Sequence, residues 1–285
     1  VMVKKGLEAK LEVGAIWLQT YDEAEAGMKE AASRFSAAVL DLTLPDAPNG
    51  EVVDLTTTRD IPTIVLTASY DEEQRDLMWS KKVCDYVLKR GPHDMDYVVS
   101  LVGRLSRNDQ LKVMVVYDSR MLREHVAELL RIHRYQVLEA VDGLDALERL
   151  KEHPDVRMIV TDYAMPNMDG MELTEHVRRN IPKDELAIIG LSALGDRHLS
   201  ALFIKNGAND FLNTPLQSEE FYCRVSQNMD MLEYIDAIRN SASRDYLTGL
   251  YNRRHFFDIG NTLFANAQRI GVPLAVGMID IDHFK

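Results

Sequence analysis

Met158-Ile-Val-Thr-Asp-Tyr-Ala-Met-Pro-Asn-Met-Asp-Gly170 is a β-branched, apolar run that ends on the carboxylate of Asp162 and then turns. That order puts one acid at the C-terminal edge of a strand, where open α/β sheets bind their ligands. Upstream, Lys112-Val-Met-Val-Val-Tyr-Asp118 reads as a first strand, and Leu122, Val126, Leu129 and Leu130 then recur at helical spacing. Gln136–Ala140 reads as a second strand, followed by a helix around Leu144, Leu147 and Leu150. Downstream come a helix over Leu173 to Val177, a strand over Leu186–Ser192, a strand over Asn209–Asn213 and a closing helix. Five strands alternating with helices predict a parallel sheet covered on both faces.

A looser copy precedes this one. Ala37-Ala-Val-Leu-Asp41 is followed by Leu-Thr-Leu-Pro45 and Asn49-Gly50. Pairing Asp22 with Asp142 and Asp41 with Asp162 gives offsets of 120 and 121, which set Val1 opposite roughly Met121, inside the first helix. The first strand and its acidic loop would then lie upstream, and the sequence reads as a fragment cut at both ends. The expected organisation is a first α/β domain over residues 1–106, a polar linker at 107–110 and a second α/β domain over 111–232. A linker helix is expected over 233–244 and part of a third domain over 245–285. Ser218 is a plausible N-cap, with Glu219 and Glu220 in the first turn of a helix predicted to run to about Asn240.

Composition narrows the function. Acidic residues outnumber basic ones 45 to 33, for a net charge of −12, so a phosphate backbone would be repelled on average and nucleic acid is not the expected partner. Cys84 and Cys223 have no metal-ligand spacing, and both are expected to be reduced core thiols. No apolar stretch approaches the ~20 residues of a membrane span, so the expected location is the cytoplasm, with no membrane partner.

The repeated acid-ended strand resembles the receiver domains of bacterial response regulators, which implies two flavodoxin-like (βα)5 domains with parallel five-stranded sheets in the order 2-1-3-4-5. The resemblance implies phosphoryl transfer from a sensor histidine kinase or phosphotransfer protein to Asp41 and Asp162. It also implies Mg²⁺ held by the acceptor, an acid after the first strand and a backbone carbonyl two residues beyond the acceptor. These are Asp41 and Thr43 in the first copy, and Asp162, Asp118 and Ala164 in the second. Mg²⁺ suits such a set because it takes oxygen ligands and keeps several waters. A hydroxyl after strand four and a lysine after strand five would gather the phosphoryl, and an aromatic would switch. The first copy supplies Thr67, Lys89 and Tyr86; the second supplies Ser192 and Phe211, but Thr214 stands where lysine is expected and Tyr117 where a second acid is expected. A neutral hydroxyl cannot replace the lysine charge, so the first copy is expected to respond to phosphate and the second to act as an adaptor.

Arg244-Asp-Tyr-Leu-Thr-Gly-Leu-Tyr-Asn-Arg-Arg254 and Met278-Ile-Asp-Ile-Asp-His-Phe-Lys285 resemble the opening of a GGDEF-type diguanylate cyclase domain. Pro273–Asp280 is expected to form a buried strand of an α+β domain. The resemblance implies that Asp280 and the carbonyl of Ile281 hold Mg²⁺, and that His283, Phe284 and Lys285 meet the phosphates of GTP. It further implies a homodimer that joins two GTP into cyclic di-GMP under receiver control. The GGDEF hairpin would lie beyond Lys285, leaving the fragment inactive. A non-enzymatic phosphate sink or docking module with a degenerate GGDEF remnant is the alternative, and the next ~100 residues of the gene would separate the two.

Overall fold

The structure, a computed structural model, describes residues 2–11, 13–31, 35–193 and 197–280. It divides into one unit over Val1–Met229 and another over Asp230–Lys285. The first unit contains two parallel sheets. Strands β4 (Lys112–Val116), β5 (Gln136–Ala140), β6 (Val156–Asp162), β7 (Ala187–Ala193) and β8 (Asp210–Thr214) form the second sheet, in the order β5-β4-β6-β7-β8. Their near-continuous Val/Ile/Met runs suit strands covered on both faces; Val113–Val116 and Met158–Val160 are wholly buried. The helices are α6 (Arg120–Ile132), α7 (Gly143–Glu152), α8 (Gly170–Arg178), α9 (Arg197–Lys205) and α10 (Ser218–Ser243). Predicted and observed elements of this sheet agree to within a few residues, β4 ending at Val116 and leaving Tyr117 and Asp118 in the turn before α6.

The first sheet departs from expectation. It has three strands, β1 (Ala38–Asp41), β2 (Thr63–Thr67) and β3 (Asp85–Leu88), all parallel and in that order. Residues 13–19, opposite the second strand of the other copy, belong to no strand. In the order β5-β4-β6-β7-β8 the strand β5 pairs with β4 alone, and among the described residues no strand stands in the corresponding place beside residues 13–19. Two five-stranded sheets are therefore corrected to one of five and one of three. Helices α1 (Met2–Leu11), α2 (Tyr21–Ala31), α3 (Glu51–Thr57), α4 (Glu72–Ser80) and α5 (Pro92–Asn108) surround the smaller sheet. Leu7 and Leu11 of α1 pack on the cluster of Val98, Leu101, Val102 and Leu105.

The linker at 107–110 is shorter than expected, because α5 continues through it to bury Asn108. The two sheet modules are locked together at that point. Asn108 Nδ2 donates to the His133 carbonyl at 2.8 Å, and His133 Nε2 lies 3.0 Å from the Cys84 carbonyl. A carbonyl only accepts, so Nε2 carries a proton. Tyr222, on the first turns of α10, stacks on His133 at 3.7 Å and on Trp79 at 5.9 Å. Ion pairs Arg75–Glu219 at 2.6 Å and Lys82–Glu128 at 2.7 Å rim the contact. Cys84 is buried as expected and its thiol is pushed up to about 12 by that burial. Cys223 is exposed, contrary to expectation, because α10 turns Phe221, Tyr222 and Val225 inward instead.

In the second unit, α10 runs on to Ser243, three residues past its predicted end, and α11 (Arg253–Ile270) follows. Pro273–Asp280 is exposed and forms no strand, where a buried one was expected; this unit contains no other strand among the described residues to bond it. Among the described residues no helix is long and apolar enough to cross a membrane.

Burial holds the His133 imidazole down at about 4 from an ordinary value of 6.5. A depressed histidine stays neutral in the folded state while the unfolded chain takes up a proton below pH 6.5, so stability falls as pH drops from 6.5 to 4. The shift corresponds to about 3 kcal/mol. Urea titrations between pH 7.5 and 4 should show this loss, and His133→Phe, which keeps the ring stack and removes the titrating group, should flatten it.

Candidate functional site

Both candidate acceptors sit at the C-terminal edge of their sheets. Asp41 ends β1, and its side chain forms an ion pair with Lys89 Nζ, which follows β3. The sheet brings them together: Asp41 pairs in register with Leu66, next to Thr67, and the Lys89 amide donates to the Thr67 carbonyl at 2.7 Å. The Thr43 amide lies 3.4 Å from Asp41 Oδ1. Tyr86 is buried, three residues before Lys89, and its hydroxyl meets Gln74 Oε1 at 3.4 Å and the side chain of Thr67. Thus Asp41, Thr67, Lys89 and Tyr86 form one cluster at one sheet edge. Just behind them lies the contact with α10, through Arg75 and Trp79.

The second site is built more tightly. Gly170, the first residue of α8, lies so close to the acceptor strand that a Cβ there would stand 2.1 Å from the Asp162 carbonyl oxygen. Only glycine lets the helix begin at that distance. Asp169 caps α8 by accepting from the amides of Met171 and Glu172 at 2.9 and 2.8 Å, which fixes the turn over Ala164 and Met165. Ser192 is buried on β7 beside Leu191, the register partner of Asp162. Thr214 pairs with Ala193 at the same edge. Phe211 packs on Phe203, 5.6 Å between ring centres.

Burial pushes the Asp162 carboxyl up to about 6; the Tyr163 amide and the Tyr117 hydroxyl oppose the rise, and the Asp118 charge adds to it. Tyr117 itself is buried and its phenol is raised, first by burial and then by the Asp162 charge. Sequence reasoning treated Tyr117 as a lost acid and missed that its hydroxyl hydrogen bonds the acceptor. The signal was present in the type of residue, a hydroxyl on a long ring directly before Asp118. Asp118 Oδ1 accepts from the Ser119 amide at 2.6 Å.

The two sites hold complementary halves of one constellation. The second has two carboxylates near enough for the Asp118 charge to raise Asp162, oxygen donors of the kind that Mg²⁺ takes. It has no lysine. The first has the lysine but a single acid, so among its described residues the donor set does not fit the cation. Among the described residues no three acid, histidine or cysteine side chains converge as a metal cluster. Asp280 ends the exposed stretch of the second unit; Ile281, His283, Phe284 and Lys285 lie outside the described residues.

A profile of the response regulator receiver domain matches residues 113–226, and one of the diguanylate cyclase GGDEF domain matches residues 242–285. A chemotaxis protein CheY homolog of Campylobacter jejuni is 32% identical over 106 residues, which cover 37% of this chain and 82% of that protein. The chain belongs to the response regulators. The response regulator PleD of Caulobacter vibrioides is 28% identical over 194 residues, covering 65% of this chain and 42% of PleD, so the match spans less than half of that relative. Among solved structures, a two-component system response regulator/GGDEF domain protein is 39% identical with a TM-score of 0.74, covering 81% of this chain and 94% of that one. This response regulator thus joins a receiver domain of flavodoxin-like fold to the start of a GGDEF domain.

A carboxyl raised by burial destabilises the fold while it is charged and ceases to do so once protonated. Removing the Asp162 charge should therefore stabilise the protein most at pH 7 to 8, with the gain shrinking as pH falls through 6 and gone by about pH 4. Melting curves of Asp162→Asn and the parent in metal-free buffer across that range check the expectation; a gain that does not change with pH would contradict it.

Proposed function

We propose that this chain is the regulatory part of a diguanylate cyclase, with two receiver domains in tandem over residues 1–106 and 111–232. A linker helix over 233–244 would lead to a GGDEF domain beginning at 245. The observation that carries the reading is the Asp41–Lys89 ion pair at the sheet edge beside Thr67. An acceptor carboxylate, a cation able to move onto a phosphoryl group and a hydroxyl to receive its other oxygen stand together there.

In this reading a histidine kinase or phosphotransfer protein donates a phosphoryl group to Asp41. The Asp41 oxygen attacks phosphorus, the P–N bond to the donor histidine breaks with its electron pair going to the imidazole, and the Lys89 charge beside Asp41 offsets the two anions that meet. Lys89 then leaves the carboxylate for the phosphoryl oxygens, and Thr67 follows, giving up its contact with Tyr86. Behind Tyr86 lie Arg75 and Trp79, which hold Glu219 and Tyr222 at the start of α10. A change at Asp41 is thereby passed to the helix that leads into the output domain. Asp162, lacking the lysine and hydrogen bonded by Tyr117, is the adaptor's acid. In the output domain, Asp280, with Ile281, would hold Mg²⁺, and His283, Phe284 and Lys285 the phosphates of GTP. The product is cyclic di-GMP, made between two subunits of a dimer.

In the full-length protein, acetyl phosphate with Mg²⁺ should label Asp41, and the label should vanish in Asp41→Ala and persist in Asp162→Ala. Peptide mass mapping reads the site, and the reverse pattern would exchange the roles of the two domains. Restoring charge to the second site by Tyr117→Asp with Thr214→Lys should raise its affinity for beryllofluoride and Mg²⁺ at least tenfold in calorimetric titration.

A further inference from the structure

Asn167 and Asp46 occupy the same place in the two sheet modules. Each stands five residues after its acceptor and directly behind a proline, in Met165-Pro166-Asn167 and Leu44-Pro45-Asp46. Each also reaches the helix that precedes its acceptor strand. Asn167 Nδ2 donates at 2.6 Å to Asp142 Oδ2, and Asp142 is the N-cap of α7, its other oxygen accepting from the Asp145 amide at 2.9 Å. Asp46 accepts from the amides of Tyr21 and Asp22, the first residues of α2, at 2.8 and 3.1 Å. Amides that open a helix have no partner within it, so a carboxylate there satisfies them and meets the positive end of the helix dipole. The same fastening is thus made twice with the acid on opposite sides: on the helix in the second module, on the loop in the first.

The second fastening is the firmer. Asp142 is buried, and the bonds from the Asp145 amide and then from Asn167 hold its carboxyl below the usual range, so it is charged and can only accept. Asn167 has a φ of 63°, a left-handed conformation that asparagine tolerates better than most residues. The next residue, Met168, is buried, and its carbonyl accepts from the Gly143 amide at 3.1 Å. A Cβ at Gly143 would stand 2.5 Å from Met168 Cγ and 2.9 Å from the Met168 carbonyl oxygen, so loop and helix meet backbone to backbone. Asp46, by contrast, is exposed, and its bonds to α2 are made in water. Between each acceptor and its fastening lies the residue two past the acceptor, Ala164 or Thr43.

We propose that Asn167 and Asp46 are positioning residues that latch each acceptor loop to the helix before it, and that the Ala164 carbonyl keeps its place beside Asp162 only while the Asn167–Asp142 latch is closed. The buried latch makes the second loop the stiffer of the two, and the solvent-exposed one leaves the loop after Asp41 free to move. That the Ala164 carbonyl serves a cation rests on the phosphoacceptor reading above; the latch does not.

The test uses the whole chain, with residue-resolved hydrogen exchange and Mg²⁺ titration at pH 7.5. Asn167→Asp sets two carboxylates against each other and should speed exchange of the Gly143 and Met168 amides at least tenfold while leaving the Val113–Val116 amides unchanged. Adding Asp142→Asn restores one donor and one acceptor in the opposite sense, and should return both amides to the parent rate. Asp46→Ala should speed the Tyr21 and Asp22 amides in the same way. Unchanged exchange in Asn167→Asp, or a double variant as fast as the single one, overturns the proposal. The added charge of Asn167→Asp would by itself strengthen cation binding, so a loss of Mg²⁺ affinity of at least threefold, recovered in the double variant, upholds the placing of Ala164 by the latch. Parent-like affinity with a loosened loop, or a loss that the double variant keeps, overturns that placing. A parent that binds no Mg²⁺ sinks the cation reading, and the exchange rates then decide the latch on their own.

Discussion

A parallel strand is held by what lies on either side of it, and this constraint shapes both sheet modules. Where β4 stands between β5 and β6, two ladders form, five strands close over a continuous core and two acids meet at one edge. Among the described residues no strand stands between residues 13–19 and β1, and residues 13–19 form none. Hydrogen-bonding capacity in a sheet is shared between neighbours, so a segment at the edge forms a strand only where another lies beside it. The helices need no such neighbour because their bonds are internal: α1 packs on α5 through Leu7 and Leu11.

The second sheet was legible because its strands declare themselves one at a time: each is a β-branched run bounded by turn residues, and each acid or hydroxyl falls at a strand end. Asp162, Ser192 and Phe211 could be placed from the sequence for that reason. Asp41, Thr67, Tyr86 and Lys89 were legible through their matching offsets from the better copy. What could not be read was anything depending on a partner outside the segment itself. Residues 13–19 and Pro273–Asp280 both have strand-like composition, and neither is a strand, since local propensity cannot report whether a neighbour exists. The Tyr117 contact with Asp162 was hidden for the same reason, being a meeting of two strand ends that no spacing encodes.

The division of parts between the two acid sites has a physical sense. A lysine already on its carboxylate leaves Asp41 with its charge offset, whereas the Asp118 charge adds to the burial that raises Asp162. One acid is therefore matched by its own side chains and the other is not. The raised carboxyl of Asp162 is a local cost carried by a well-packed core, a common arrangement where a buried acid is kept for its chemistry or its geometry.

The ring stack of Trp79, Tyr222 and His133 carries a consequence for descent as well as for stability. Trp79 comes from one sheet module, His133 from the other, and Tyr222 from a helix whose far end belongs to a different unit. Recombination that exchanged either module alone would leave two large rings and a neutral imidazole facing water or a mismatched surface. A chain with this arrangement would lose more by exchange of one sheet module alone than by exchange of both together.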